Sequence, residues 1–287
     1  MDNYVQPPSV KYTLGLTLSG GGAKCMAHIG LLQYLAENGI EPDIISATSG
    51  GAVIGALHAA GCKPVHILEF FLKHRMFCFQ NLSLNQWGLI QSEKIGKYFE
   101  KYFPDNSFEA LKKPLFVVAT DLQKPAQHVF SSGPLIKPLL GASAFPGVLT
   151  PVRWGNEILA DGGIINNFPA SLIREQCHFQ IGMHLTPVRQ RSEEHFRNAR
   201  SLLERVYDIF SVSKIVKEIR IPDIVLEPEG LEEFGTFSVK NDDLEAMFEL
   251  GYECAQKYFS GAGRQWFMQL QRAMLKRPQW LMDKQPA

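Results

Sequence analysis

No apolar run in the 287-residue sequence approaches the roughly 20 residues that cross a bilayer. Excess charge is also lacking: Lys and Arg number 29, and so do Asp and Glu. That balance excludes a polybasic nucleic-acid binder, so no nucleic-acid partner is expected. Cysteines are few and scattered (Cys25, Cys62, Cys78, Cys177 and Cys254), odd in number and without a C-x-x-C pair. The expectation is reduced thiols in a cytoplasmic protein, with neither a disulfide framework nor a zinc–thiolate site. The eight histidines form no H-E-x-x-H pair, and neither a metal nor a cofactor is expected. Residues Met1 to Lys11 are polar and contain Pro7-Pro8, without the charged-then-apolar layout of a signal peptide. With 45% apolar and 20% charged residues, the chain is globular rather than disordered.

What is present is an alternation of short apolar strands and helical patterns. Tyr12 to Leu18 reads as a strand, and Met26 to Asn38 as a helix with Ile29, Leu31, Leu32 and Leu35 along one stripe. Asp43 to Ala47 is a short apolar run, and Gly50 to Ala60 a small-residue helix suited to close packing on a sheet. Pro114 to Thr120, Gln180 to Leu185 and Asp223 to Leu226 read as further strands. Two longer helices are expected over Glu193–Ile219 and Asp242–Tyr258. Phe196, Ala199, Leu203, Val206 and Phe210 in the first, and Leu244, Met247, Phe248, Gly251 and Ala255 in the second, are expected to cover the sheet. The alternation predicts parallel βαβ units in an α/β sandwich. No internal repeat or Gly/Ser linker interrupts it, which favours one domain over two.

Three segments carry candidate chemistry. Ser19-Gly20-Gly21-Gly22-Ala23-Lys24 lies between a strand and a helix, where backbone N–H groups can turn toward an anion. A phosphate-binding P-loop is a poor match, because Gly21 and Gly22 stand where Lys and Ser/Thr belong. A dinucleotide fingerprint fails at Cys25, where its third glycine belongs. An oxyanion hole needs only aimed donors, and a plain tight turn needs none. Ala47-Thr48-Ser49-Gly50-Gly51 has the small neighbours of a nucleophile elbow, with Ser49 at its apex and the N–H of Gly50 as a further oxyanion donor. Read by itself, Ser49 is equally an N-cap. Leu159-Ala160-Asp161-Gly162-Gly163 offers Asp161 as a base for the serine, or as an ordinary Asp-Gly turn residue.

Together these segments resemble the patatin-like phospholipase family. Ala119-Thr120-Asp121 and Ala142-Ser143-Ala144-Phe145-Pro146-Gly147-Val148 extend the likeness, which runs from about Tyr12 to Tyr258. The resemblance implies a three-layer α/β/α sandwich with a mostly parallel central sheet. It implies a lipid acyl hydrolase of phospholipase A, lysophospholipase or carboxylesterase type, with a lipid or fatty-acyl ester as substrate. Ser49 would be the nucleophile and Asp161 the base of a Ser–Asp dyad. Gly20, Gly21 and Gly22 would form the oxyanion hole, supported by Lys24, Gly50, Gly51, Gly162 and Gly163. Three positions depart from the family: Lys24 stands for its usual Arg, Cys25 for Gly, and Ala47 for the first elbow glycine. None of these changes removes a reacting group.

A carboxylate base with a reference pKa near ~4 needs burial or tight coupling to the serine to act. The rival mechanism is a Ser-Asp-His triad using His178, His184 or His195, of which His184 is best placed at the end of an apolar run. The rival function is a lipid-binding or scaffold protein of the same fold with weak turnover. Met76 to Phe79, with Leu82, Leu84, Trp87 and Leu89, is read as a cap over an acyl groove or as peripheral core. The expected division is a catalytic domain over 10–262 and a basic, amphipathic tail over 263–287. From Arg264 onward, five basic residues face one acidic residue, mixed with Trp266, Phe267, Met268, Leu270, Leu275 and Trp280. Such a tail suits peripheral contact with anionic lipid, or packing on its own domain.

Overall fold

Glycines and polar turns punctuate short, mostly apolar strands, and this pattern builds the sheet. The computed structural model describes residues 10–74, 82–85, 88–190, 193, 196 and 199–277. In chain order the elements are β1 (Tyr12–Leu18), α1 (Met26–Glu37), β2 (Ile44–Thr48), α2 (Gly50–Ala59), α3 (Pro64–His74), β3 (Leu82–Asn85), β4 (Gly88–Ile90), α4 (Ser92–Phe99), β5 (Leu115–Asp121) and β6 (Ala126–Phe130). There follow α5 (Ile136–Ala142), β7 (Val152–Trp154), β8 (Glu157–Asp161), α6 (Ser171–Arg174), β9 (Cys177–Met183), α7 (Ala199–Ile215), β10 (Ile224–Leu226), α8 (Asn241–Ser260) and α9 (Arg264–Met274). Strands β10, β9, β1, β2 and β5 lie parallel in that spatial order, as strand–helix alternation requires. Strands β8, β7 and β6 extend the sheet antiparallel, and β3 pairs with β4 in a separate hairpin.

One register detail positions the site. β6 occupies one edge of β5 from Val117 to Asp121. On the other edge β2 pairs as far as Thr48 with Val118, and β8 takes over at Asp161 with Ala119. The end of β2 and the end of β8 therefore meet on consecutive residues of β5. β1 and β2 are in register with Leu18 beside Ala47, so the loops that leave them run side by side.

The sheet faces differ in chemistry. Leu14, Leu16 and Leu18 of β1 enter the main core, shared with α1, α2 and α8. The opposite face carries Gly15, Thr17, Ser46 and Gln180, where Thr17 Oγ1 lies 3.0 Å from Ser46 Oγ and Gln180 Nε2 donates to Thr17 Oγ1 at 2.9 Å. Helix α6 covers that face through Ile173, and Ile215 of α7 packs against Phe168 and Ala170. Helices on both faces make three layers, as expected.

Helices α1 and α8 cross with backbone against backbone. A Cβ at Gly251 would overlap the Ala27 carbonyl, and one at Gly30 would overlap that of Phe248. Gly251→Ala gains about 1 kcal/mol of helix propensity but forces the helices apart, for a net loss of about 2 kcal/mol. The expected result is a Tm about 5 °C lower by thermal denaturation. An unchanged Tm would show that the crossing relaxes without cost.

One expectation for the C-terminal half is corrected. The helix expected over Glu193–Ile219 spans Ala199–Ile215 and does not lay its apolar stripe on the sheet: Phe196, Val206 and Phe210 are exposed. Among its described side chains, Asp208, Ser211 and Ile215 are buried. The tail, as far as Arg277, packs on the domain. Phe267, Leu270 and Met274 of α9 are buried, and Trp266 meets the Phe179 ring edge-on at 5.5 Å. Arg277 donates to the buried Asp43 carboxylate at 3.1 Å and to the Glu41 carbonyl at 2.8 Å. That cation is consumed internally rather than offered to lipid. Trp280, Asp283 and Lys284, like Met76 to Phe79, Trp87 and His195, lie outside the described residues. Among the described residues no helix is long and apolar enough to cross a membrane.

Candidate active site

Ser49 sits where β2 turns sharply into α2, at φ 54° and ψ −132°. This strained conformation needs small neighbours, which Thr48-Ser49-Gly50-Gly51 largely provides. Although Ser49 precedes the helix, its hydroxyl makes no capping bond. It donates instead to Asp161 Oδ2 at 2.6 Å. The N-cap reading is thereby replaced by a serine–carboxylate pair.

Asp161 is 1% exposed and held from several directions. Its Oδ1 accepts from the Gly163 amide at 2.8 Å and from the Tyr207 phenol at 3.1 Å. Its own amide donates to the Ala144 carbonyl, and its carbonyl accepts from Thr120 Oγ1 at 2.9 Å. The two outlying stretches that extended the family likeness are thus those that brace Asp161. Burial pushes the Asp161 carboxyl up to about 6, against the opposing pull of hydrogen bonds from Ser49, Gly163 and Tyr207. The condition set for a carboxylate base is met by desolvation.

The glycine loop runs beside this pair. A Cβ at Gly20 would come within 2.9 Å of the Ser49 Cβ, and the Gly20 amide is already spent on the Asn167 carbonyl at 3.2 Å. Gly21 and Gly22 line the same cleft as Ser49, Gly50 and Asp161. Gly22 has φ +58°, and a Cβ there would overlap the Thr236 carbonyl, which accepts from the Ala23 amide at 2.7 Å. Lys24 is buried in the turn that follows. Cys25 places its Sγ against Gly50, and burial pushes its thiol far up, leaving it neutral. Gly51 packs on the Ser19 and Leu18 carbonyls, and Gly162 packs on Val118.

The cleft has a cavity volume of about 60 Å³. Beyond the polar cluster its walls are apolar: Val53, Phe71, Ile95, Phe99, Leu139 and Leu140 from α2, α3, α4 and α5. A few convergent polar groups in an apolar cleft are the usual layout of a small-molecule site. Among the described residues no group of three or more His, Cys, Asp or Glu is arranged to hold a metal ion.

Among the described residues, no histidine is hydrogen-bonded to Ser49 or Asp161. His184 is buried, with Nδ1 2.8 Å from Glu227 Oε1 and Nε2 3.5 Å from Thr186 Oγ1. His178 is exposed on β9. Sequence reasoning missed three residues. Neither Tyr207 nor Asn167 has a local motif around it. His28 was legible as a histidine in an otherwise apolar helix stripe. It donates from Nε2 to the Ser19 carbonyl at 2.8 Å, and burial lowers its pKa to about 4, so it braces the glycine loop as a neutral ring.

A sequence profile of the patatin-like phospholipase family matches residues 16–173, more than half of the chain. An uncharacterized NTE family protein of Mycobacterium tuberculosis (strain ATCC 25618 / H37Rv) is 33% identical over 162 residues, covering 56% of this chain and 45% of that protein. Patatin-like phospholipase domain-containing protein 6 of Mus musculus is 30% identical over 170 residues, covering 56% of this chain and 12% of that protein. The chain therefore spans less than half the length of these relatives. The crystal structure of VipD from Legionella pneumophila shares the fold, with a TM-score of 0.51 at 15% identity over 92% of this chain and 67% of that one. Sequence and fold together make this chain a member of the patatin-like phospholipase family.

Proposed function

We propose that the chain is a lipid acyl hydrolase that cleaves fatty-acyl esters through a Ser49 acyl-enzyme. The observation that carries this reading is the 2.6 Å hydrogen bond from Ser49 Oγ to the buried Asp161 carboxylate at the polar end of an apolar cleft. Asp161 takes the hydroxyl proton as Oγ attacks the ester carbonyl. The amides of Gly21 and Gly22, with that of Gly50 at the start of α2, stabilise the oxyanion. The Gly20 amide is engaged elsewhere, so Gly20 serves as the spacer that lets the loop approach Ser49. The tetrahedral intermediate collapses, the proton returns to the leaving alcohol, and the acyl group stays on Oγ. Asp161 then takes a proton from the water that attacks the acyl-enzyme, and returns it to Ser49 Oγ as the Oγ–acyl bond breaks and the fatty acid leaves. The apolar walls suit an acyl chain.

A fluorophosphonate probe tests this reading directly. Covalent labelling at Ser49, absent in Ser49→Ala, is expected; an unlabelled serine in folded protein would overturn it. His184→Ala retains most hydrolysis, because the imidazole pairs with Glu227 rather than Asp161. A loss equal to that of Ser49→Ala would restore the triad.

The pH dependence follows from the base. Asp161 must be ionised to accept a proton, so kcat/KM rises through a single ionisation near pH 6 and falls below it. Tyr207→Phe removes a hydrogen bond that favours the ionised form, so this midpoint moves upward. A pH–rate profile whose acid limb stays near pH 4 in wild type would contradict the role given to burial.

A further inference from the structure

Helix α7 reverses the usual amphipathic order. Its inner side is mostly polar: Tyr207 reaches Asp161, Ser211 Oγ donates to the Gly163 carbonyl at 3.0 Å, and Asp208 is buried beside the cleft. Its outer side presents Leu202, Val206, Ile209 and Phe210, each between 46% and 55% exposed, and Val216, 50% exposed, follows just past its end. At 100° per residue the four helical residues fall in one arc of about 100°, away from Tyr207 and Ser211, with the polar Ser213 inside it. A contiguous apolar strip of this kind on a surface helix marks an interaction site.

Charge identifies the occupant. Arg205 borders the strip on one side, with one N–H on the Arg189 carbonyl. Lys214 borders it on the other and Lys217 follows Val216 past the helix end, both exposed, with the Lys214 ammonium 5.1 Å from the centre of the Phe210 ring. An apolar stripe flanked by cations fits the headgroup and acyl boundary of an anionic bilayer. The opposite side of the same helix lines the cleft through Tyr207 and Asp208.

We propose that α7 is the surface by which this protein docks on anionic lipid, a role the sequence had pointed to in the C-terminal tail. The inference rests on the acyl-hydrolase reading for its biological sense, but its test does not need turnover. Full-length Ser49→Ala protein, which cannot consume the lipid, is sedimented with phosphatidylcholine vesicles with and without phosphatidylglycerol. Binding is expected and stronger with phosphatidylglycerol. Val206→Glu combined with Phe210→Glu lowers the partition coefficient by about tenfold or more, since it withdraws apolar area and adds repulsion. Ile209→Trp raises it, so a loss from misfolding alone cannot mimic the pattern. Lys214→Glu with Lys217→Glu removes the preference for phosphatidylglycerol. Unchanged binding in the Glu variants, with native circular dichroism, overturns the proposal. So does a dimer on gel filtration that the Glu variants dissociate, because a second copy then covers the strip. Vesicle binding without any ester hydrolysis by wild type would sink the catalytic reading and leave the docking surface intact.

Discussion

Ser49→Ala lowers kcat/KM for ester hydrolysis by about 10⁴-fold or more, Asp161→Asn does nearly as much, and the double variant is no worse than the first. Nucleophile and base act in one step, so removing either abolishes the step and the second removal has nothing left to cost. Steady-state rates of the four proteins on one soluble ester test this. Additive losses would mean that Asp161 acts through something other than the Ser49 proton. The same substitution at Asp161 stabilises the fold. The carboxyl is raised from 3.8 to about 6 on folding, so the folded state holds its proton more tightly than the unfolded chain. Below pH about 4 the acid is neutral in both states and burial imposes no charge penalty. As pH rises through about 6 the penalty is imposed in full, about 2–3 kcal/mol. Asn is isosteric and carries no charge. Asp161→Asn therefore raises Tm by about 5 °C at pH 8 and by little at pH 4. Equal shifts at both pH values would contradict the sign of the linkage.

Gly22→Ala lowers kcat by about 10²- to 10³-fold while KM changes little. The position has φ +58°, costly for any residue with a Cβ, and the added methyl group meets the Thr236 carbonyl rather than a movable side chain. The loop must shift, and Gly21 and Gly22 lose their aim at the oxyanion. These donors act chiefly in the transition state, so the loss falls on kcat. Gly39→Ala is the control. Its φ of +69° carries similar strain, but nothing lies within 4 Å, so about 1 kcal/mol of stability is lost and the rate is kept. Equal losses of rate at both positions would show that strain, not loop placement, governs Gly22→Ala.

The parallel half of the sheet was legible because β1, β2 and β5 are apolar runs closed by glycine or polar turns. Strands β6, β7 and β8 were not legible as a group. They are short and partly exposed, and only Leu159-Ala160 of β8 read as strand-like. Their pairing on β5, which brings Asp161 to Ser49 across 112 positions of sequence, is a long-range contact without a local signature. Tyr207 was invisible for the same reason. Periodicity located α7 but turned it the wrong way, since α7 was expected to cover the sheet; for the α9 segment, composition left lipid contact and packing on the domain both open.

Local chemistry is what the sequence determined by itself: a serine between residues small enough for a strained turn, three glycines able to present amides, and an aspartate followed by two more glycines. Each demands particular residue types at neighbouring positions, so each leaves a readable mark. The tertiary structure alone decided which apolar stripe is buried. It set α9 on the aromatic cluster of Tyr34, Phe259 and Phe267, and held His184 to Glu227, away from Asp161. It also turned the apolar side of α7 outward, because the inner side had to supply hydrogen bonds to Asp161 and Gly163. A helical period records that two faces differ; which one meets the core depends on what the core already offers.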